Sequence, residues 1–133
     1  MTDTPSAPPG GTTFAITFLY YRDLAAAMRF YEDVLGLTLA IDQGWSKIYA
    51  ICPGAHVGLV DEAHGMHKSA PVKPVQLCLR VADVDAWYAW VQKNGAAGLS
   101  DMFESDHLGI RAFVFDDPEG HQIEIQTPTR PGA

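Results

Sequence analysis

Glu124 is the residue whose sequence context best suits it to chemistry. It lies in the segment 121–126, where Ile123 and Ile125 alternate with polar residues. A period of two is typical of a strand with one apolar face and one polar face. If the polar face lines a cavity, the carboxylate can act as a general base or bind a polar group of a ligand. If that face meets water, Glu124 is an ordinary surface carboxylate.

Two polar residues are expected in the same cavity as Glu124. Gln76 and Arg80 are four residues apart in the strand-like run 75–81, so strand periodicity puts both on one face. A buried carboxylate is costly without a partner, and Arg80 is the expected partner of Glu124. The pair can bind a polar ligand group or simply neutralise itself, and the sequence leaves both alternatives open.

Aromatic residues are expected to form the walls of this cavity. Alternation in the first strand-like run puts Phe18 and Tyr20 on one face together with Ile16. Aromatic walls with a polar end suit a flat organic ligand, although the rings can also fill the cavity themselves. The expected ligand-contacting residues are Phe18, Tyr20, Trp45, Tyr49, His56, Gln76, Arg80 and Val114, with Glu124 as the catalytic candidate.

The histidines have less distinctive contexts. His56 shares a strand face with Val60, where it can be a ligand, a base or a structural residue. His64 and His67 lie in a loop that we expect to be solvated, with a lid over the cavity mouth as the alternative. His121 follows the tight turn Asp117-Pro118-Glu119-Gly120 and is expected at the surface.

The elements that position these residues recur with an offset of about 60 residues. Asp23 is expected to cap a helix that Gly36 ends, and Asp83 to cap a second helix that Gly95 ends. A strand precedes each helix and three strand-like segments follow it, so each half is βαβββ. Neither half can bury both faces of its sheet alone, which predicts a shared core. The segments expected as strands are 14–21, 37–41, 45–51, 56–60, 75–81, 98–102, 110–116 and 122–126.

Length and charge limit the kind of protein this is. At 133 residues and a net charge of −7, the chain is expected to be one domain without a nucleic-acid partner. No apolar run approaches the ~20 residues of a membrane helix, and no secretory signal is recognisable, so we expect a cytoplasmic protein. We divide the chain into a disordered lead-in 1–12, a domain 13–127 built from modules 13–61 and 74–127 joined by loop 62–73, and a flexible tail 128–133.

The two halves together resemble the vicinal oxygen chelate superfamily, which includes glyoxalase I, bleomycin-resistance proteins and extradiol dioxygenases. The residues that carry the resemblance are Phe30-Tyr31 and Leu35-Gly36-Leu37 in the first half, and Asn94-Gly95, Phe113, Phe115 and the DPEG…IEI element in the second. The resemblance implies an α+β fold in which two βαβββ modules form a shared open-barrel cavity, and it implies a homodimer.

The resemblance also implies where metal ligands would lie. The metal enzymes of the superfamily place one ligand on each of four strands, and these positions fall on Ile16, near Gly58, on Gln76 and on Glu124. Transition-metal sites need typically three or more side-chain donors, so we expect neither a complete metal centre nor another cofactor. The alternative is a divalent metal held by Glu124, Gln76 and His56.

The leading hypothesis is a glyoxalase/bleomycin-resistance-like protein that binds a small aromatic or amphipathic molecule in the cavity between the modules. Two enzymes are kept as alternatives. One is a metal-dependent lyase or isomerase of glyoxalase type. The other is a metal-free enzyme that uses Glu124 as a general base.

Overall fold

A computed structural model describes residues 6–133 of the chain and contains eight strands and two helices in that part. The first half comprises β1 (Ala15–Tyr21), α1 (Leu24–Asp33), β2 (Thr38–Asp42), β3 (Ser46–Cys52) and β4 (Ala55–Asp61). The second half comprises β5 (Gln76–Arg80), α2 (Val84–Lys93), β6 (Phe103–Ser105), β7 (Ile110–Asp116) and β8 (Gln122–Pro128).

Each half forms its own four-stranded sheet. The strand orders are β1-β4-β3-β2 and β5-β8-β7-β6. The first strand of each half runs parallel to the last one, and the remaining neighbours are antiparallel. The expected α+β fold of two βαβββ modules is therefore confirmed, although the two sheets do not close into a barrel. We call residues 13–61 module 1 and residues 74–127 module 2.

The two helices begin and end in the same way. The carboxylate of Asp23 accepts a hydrogen bond from the backbone of Ala26, and that of Asp83 accepts one from Ala86, each at 3.0 Å. Each cap satisfies a backbone N–H that the first turn leaves unpaired. Gly36 and Gly95 follow the helices with φ of 68° and 67°, a conformation that favours glycine. These contacts confirm the capping residues expected from the repeat.

The helices and the helix-facing sides of both sheets share one core. Leu19 and Tyr21 of β1 lie in it together with Phe113 and Phe115 of β7. The ring centroids of Phe30, on α1, and Phe115 are 6.2 Å apart, so the first helix also packs on the second sheet. Each sheet thus has one face in the core and one face turned outward.

Two segments differ from expectation. Segment 98–102 was expected as a strand, but the sixth strand starts only at Phe103 because Gly98 adopts a positive φ of 67° that interrupts extended backbone. The eighth strand was expected to end at Gln126 but continues to Pro128, and Arg130 in the tail donates hydrogen bonds to the carbonyls of Asp106 and His107. The lead-in 1–12 lies partly outside the described residues, and its described part has no helix or strand.

Among residues 6–133, neither helix has the length and apolar content required to cross a bilayer.

Candidate functional site

The outward side of the first sheet is apolar and aromatic. Parallel pairing of β1 with β4 sets Ile16, Phe18 and Tyr20 beside His56, Gly58 and Val60. Phe18 keeps 43% of its surface exposed, so a ring remains available to a ligand. We call this surface the aromatic face, defined by Ile16, Phe18, Tyr20, Ser46, His56, Gly58 and Val60.

Gly58 allows the ring of Phe18 to lie flat against the sheet. A Cβ built on Gly58 would be 2.4 Å from Cδ1 and 2.6 Å from Cε1 of Phe18, far inside van der Waals contact. Any residue other than glycine at position 58 would therefore clash with Phe18 in this orientation. The ring occupies the space where the family resemblance would put a metal ligand.

The outward side of the second sheet is polar and internally hydrogen-bonded. The three outward-facing pairs of opposite residues on β5 and β8 each form a side-chain hydrogen bond: Gln76 with Gln122 at 2.7 Å, Cys78 with Glu124 at 3.4 Å, and Arg80 with Gln126 at 2.7 Å. Gln126 also donates to Glu124. We call this surface the polar face, defined by these six residues together with Val114, which pairs with Glu124 in the register of β7 and β8.

Arg80 does not pair with Glu124 as the sequence led us to expect. Its Nε donates to Gln126 and its second hydrogen bond goes to the carbonyl oxygen of Ala133, at 2.6 Å. Glu124 is satisfied by Gln126 and Cys78 instead. Burial and the neighbouring Glu124 raise the pKa of the Cys78 thiol to about 11, so this cysteine is protonated near neutral pH and is a poor nucleophile.

Among residues 6–133 the aromatic and polar faces meet only at their margins, where His56, Cys78 and Arg80 border one cavity. Phe18 and Tyr20 line two cavities of about 160 and 180 Å³, and neither reaches Gln76, Arg80 or Glu124. The side-chain hydrogen bonds of the polar face stay within its own sheet and the C-terminal residue. The expected convergence of all these residues on one concavity is therefore not seen in the single chain.

Trp45 and Tyr49 lie on opposite sides of the first sheet. Trp45 lines the 180 Å³ cavity with Phe18 and Tyr20, which settles a register that the sequence left open. Tyr49 was expected in the ligand cavity, but it is fully buried in the core and donates a hydrogen bond from its hydroxyl to Glu32 at 3.1 Å. Tyr49 is three positions after the outward-facing Ser46 in the sequence, so alternation turns it inward.

The histidines of module 1 and its following loop pack against aromatic rings. The His56 ring lies 4.6 Å from that of Phe14, and its Nδ1 is buried with no hydrogen-bond partner in the described part of the chain. In the loop, His64 stacks on Trp45 at 6.0 Å and His67 meets Tyr20 edge-on at 5.3 Å. The loop therefore lies against the aromatic face.

A buried hydrogen-bond network that the sequence did not reveal joins the two modules. The hydroxyl of Tyr21 donates to Asp117 at 2.5 Å, Tyr31 donates to the same oxygen at 3.1 Å, and His121 Nδ1 lies 3.0 Å from it. His121 is only 4% exposed, so the expected position at the surface is wrong. The turn folds back, and the backbone N–H of His121 also donates a hydrogen bond to Asp117. We call Tyr21, Tyr31, Asp117 and His121 the tyrosine–aspartate cluster.

The same turn binds the start of the first helix. Glu119 accepts hydrogen bonds from the backbone N–H groups of Arg22 and Asp23 at 2.9 and 2.8 Å. The turn 117–120 thus links module 2 to the end of β1 through both of its acidic residues. From the sequence, segment 117–120 could be recognised only as a tight turn.

The two modules also meet on the side away from the tyrosine–aspartate cluster. A cavity of about 590 Å³ lies at this second junction. It lies between the edge strands β1 and β5, below the end of α1. Its lining is mostly apolar and includes Leu35, Ile51, Leu77, Leu79 and Trp87. His56, Cys78 and Arg80 reach its border.

The residues present do not fit the metal centre that the family resemblance implies. Of the four implied positions, Ile16 and Gly58 offer no donor atom, Gln76 is bonded to Gln122, and Glu124 is bonded to Gln126 and Cys78. Across residues 6–133, no three His, Cys, Asp or Glu side chains gather in a metal-binding arrangement. The alternative set of Glu124, Gln76 and His56 spans both outward faces.

Comparison with known proteins gives consistent results. Residues 13–125 match the model of the Glyoxalase/Bleomycin resistance protein/Dioxygenase superfamily. The sequence is similar to the metallothiol transferase FosB of Staphylococcus saprophyticus, with 22% identity over 109 residues that make up 80% of this chain and 71% of that protein.

Solved structures with the same fold include a lactoylglutathione lyase from Agrobacterium tumefaciens, with a TM-score of 0.71, 22% identity, and coverage of 96% of this chain and 100% of that one. Another is a glyoxalase/bleomycin resistance protein/dioxygenase from Nocardioides, with a TM-score of 0.74, 19% identity, and coverage of 96% and 89%. At these identities the likeness shows the fold alone.

Proposed function

The chain belongs to the glyoxalase/bleomycin resistance protein/dioxygenase superfamily, and within that family we propose that it binds a small aromatic or amphipathic molecule without the help of a metal. The observation that carries the proposal is the ring of Phe18, which lies over Gly58 where a donor side chain would otherwise stand. A position suited to a metal ligand thereby becomes part of an aromatic wall.

The aromatic face supplies the affinity in this proposal. Phe18 is 43% exposed and Trp45 is 46% exposed. Exposed rings grouped in a depression are favourable partners for a flat apolar ligand, because stacking removes apolar surface of both from water.

The polar face supplies the hydrogen bonds in this proposal. The amides of Gln76 and Gln122 and the guanidinium of Arg80 are exposed, and their mutual hydrogen bonds hold them in place. Donors and acceptors fixed in this way orient a ligand at a low entropic cost. A ligand in contact with both faces would have an apolar ring and a hydrogen-bonding head.

We further propose that the protein acts as a homodimer in which a second copy brings its polar face to the aromatic face of the first. The two faces are complementary in chemistry, and among residues 6–133 the cavities beside Phe18 and Tyr20 do not reach Gln76, Arg80 or Glu124. Light scattering coupled to size-exclusion chromatography should give about twice the 14.5 kDa chain mass. A monomer at micromolar concentration would contradict this arrangement.

Thermal-shift screening of aromatic metabolites tests the binding function. A ligand that binds the folded state raises the melting temperature as its concentration exceeds its dissociation constant. The shift should decrease strongly in Phe18→Ala and in Glu124→Gln. Phe103→Ala is the matched control, because Phe103 is 39% exposed but lies on the edge strand β6. Hits that respond to neither Phe18→Ala nor Glu124→Gln would contradict the proposal.

Elemental analysis tests the proposal that the protein binds its ligand without a metal. Protein purified without chelator should contain far less than one equivalent of Zn, Ni, Mn or Fe. About one equivalent per chain that is lost in Glu124→Ala would overturn the proposal in favour of a metal-dependent lyase or isomerase. Chemical conversion of a bound hit would instead indicate an enzyme.

A further inference from the structure

One end of the aromatic face forms a partly open recess where β3 begins. Phe18, Tyr20 and Trp45 form its walls, and Val60, Gly65 and Met66 complete them. Its volume is about 180 Å³. A cavity of roughly 150 Å³ with an apolar lining is known to accept a benzene molecule, so this recess has the size for a single ring.

The floor of the recess carries a hydroxyl group that has no partner. Ser46 is 4% exposed, and among residues 6–133 nothing forms a hydrogen bond with its Oγ. Ser46 is opposite Val60 in the register of β3 and β4, which puts its side chain on the outward side. Its backbone carbonyl already accepts a hydrogen bond from Gln43. A buried hydroxyl left unpaired is unfavourable, and a polar group of a ligand would remove that penalty.

The wall opposite the floor is held in place by the loop after β4. The backbone N–H groups of His64 and Gly65 donate to the carbonyl of Asp61 at 3.1 and 3.0 Å, and the N–H of Asp61 donates to that of Trp45 at 2.9 Å. A Cβ on Gly65 would be 2.7 Å from Val60 and 2.9 Å from Tyr20, so only glycine allows the loop to approach this closely. The backbone of this wall is therefore in place before any ligand arrives, whereas the side chain of Met66 is 90% exposed and has room to move when a ligand approaches Ser46.

We propose that this recess binds one neutral aromatic ring bearing a hydroxyl group, of the phenol type, whose hydroxyl hydrogen-bonds to Ser46 Oγ while the ring packs among Phe18, Tyr20 and Trp45. The inference rests on the proposed function and deepens it by naming the chemical class of the ligand. All residues that line the recess are uncharged, and burying an unpaired charge among them would be costly. The ligand is therefore neutral at this end.

The experiment compares phenol with toluene, which has the same size but no hydroxyl, in titrations followed by ¹H–¹⁵N NMR of the backbone and the tryptophan indoles. Phenol should shift the Trp45 indole and the backbone signals of Ser46 and Gly65. In Ser46→Ala the preference for phenol over toluene should fall about fivefold, the value of one neutral hydrogen bond. The variant should melt at the same temperature or slightly higher, because the hydroxyl forms no hydrogen bond among residues 6–133 and its removal leaves no group without a partner.

Trp45→Ala should abolish the binding of both probes, whereas Trp90→Ala should preserve it. Trp90 is a matched control because it is 45% exposed, against 46% for Trp45, and lies on the second helix. Equal affinities for phenol and toluene in the unmodified protein, an unchanged preference in Ser46→Ala, or shifts away from the recess would each overturn the inference. If larger aromatic hits still depend on Glu124 while these results are negative, the proposed function stands and only the recess is excluded.

Discussion

The two junctions between the modules are equivalent in topology but opposite in character. At one, the turn between β7 and β8 meets the end of β1, and Asp117 accepts hydrogen bonds from Tyr21 and Tyr31. At the other, the turn between β3 and β4 faces the end of β5. The repeat offset of about 60 residues puts Val81 and Val91 where the first junction has its two tyrosines. This junction contains the 590 Å³ cavity.

The difference shows how few residues decide whether such a junction is closed or open. Two phenol rings and a carboxylate fill the first junction and bond its elements together. At the equivalent positions of the second junction, Val81 borders the cavity and Val91 is buried in the core, and neither has a polar group that could bond the elements together. The turns differ in the same way, since Cys52 is exposed at the second junction and Asp117 is 3% exposed at the first. We therefore expect the first junction to contribute most of the stability of the module contact.

Replacing the carboxylate should break the closed junction. Asp117→Ala leaves two buried hydroxyls and the ring of His121 without their common partner. A buried polar group that loses its hydrogen-bond partner costs about 1–3 kcal/mol, and Asp117→Ala removes a partner from all three of these groups. Urea unfolding followed by circular dichroism measures the loss. Cys52→Ala at the open junction is the control and should stay within about 0.5 kcal/mol of the parent, and equal losses at both sites would contradict the comparison.

Removing a single hydroxyl should have a smaller effect. Tyr21→Phe deletes the 2.5 Å hydrogen bond to Asp117 and keeps the ring, while Tyr31 and His121 still contact the carboxylate. A hydrogen bond to a charged group contributes about 1.5–3 kcal/mol. Tyr49→Phe, which deletes the bond to the exposed Glu32, is the matched variant in the core of module 1. A larger loss in Tyr49→Phe than in Tyr21→Phe would disagree with our assignment.

The closed junction should also make stability depend on pH. Burial pushes the pKa of Asp117 upward, but hydrogen bonds from His121 and Tyr21 outweigh it and hold the pKa below its ordinary value. A depressed native pKa means that the unfolded chain binds protons first as the solution is acidified. The contribution is therefore complete above about pH 4, the ordinary pKa of aspartic acid, and is lost as the pH falls through the lower pKa of the folded state.

Asp117→Asn isolates this effect from that of the other carboxylates. The variant keeps a side chain of the same shape but cannot titrate, so its free energy of unfolding should change less between pH 6 and pH 3 than that of the parent. Two series of urea unfolding curves measure the difference. Parallel dependences in the two proteins would assign the acid sensitivity to other groups.

The sequence was sufficient to predict those features of the fold that depend on local patterns. Asp23 and Asp83 signal helix starts through short-range capping, and the alternation around Ile123 and Ile125 signals a strand that buries one face. The sixth strand starts later than expected because a positive φ at Gly98 interrupts the extended backbone there. These features need only neighbouring residues to be recognised.

The candidate site was predictable only in part because its contacts are long-range. Alternation assigned Phe18 and Tyr20 to the outward face, and the structure puts Trp45 beside them. Tyr49 was misassigned because its strand had no fixed register. The cluster around Asp117 joins residues that are 96 and 86 positions apart, and neither tyrosine has a local pattern that indicates a carboxylate partner.

The open junction should tolerate a larger side chain where the packed parts of the molecule do not. Val81 lines the 590 Å³ cavity, so Val81→Leu adds a methylene that can bury apolar surface without displacing a neighbour. Filling a cavity in this way commonly gains about 0.5–2 kcal/mol, and we expect the lower end of that range because the cavity is wide. Val57→Leu is the matched control: Val57 is fully buried in the shared core, where overpacking costs about 1–3 kcal/mol. Differential scanning calorimetry should thus show a higher melting temperature for Val81→Leu and a lower one for Val57→Leu. A lower melting temperature for Val81→Leu would mean that the second junction is packed in solution, and the contrast between the two junctions would then be lost.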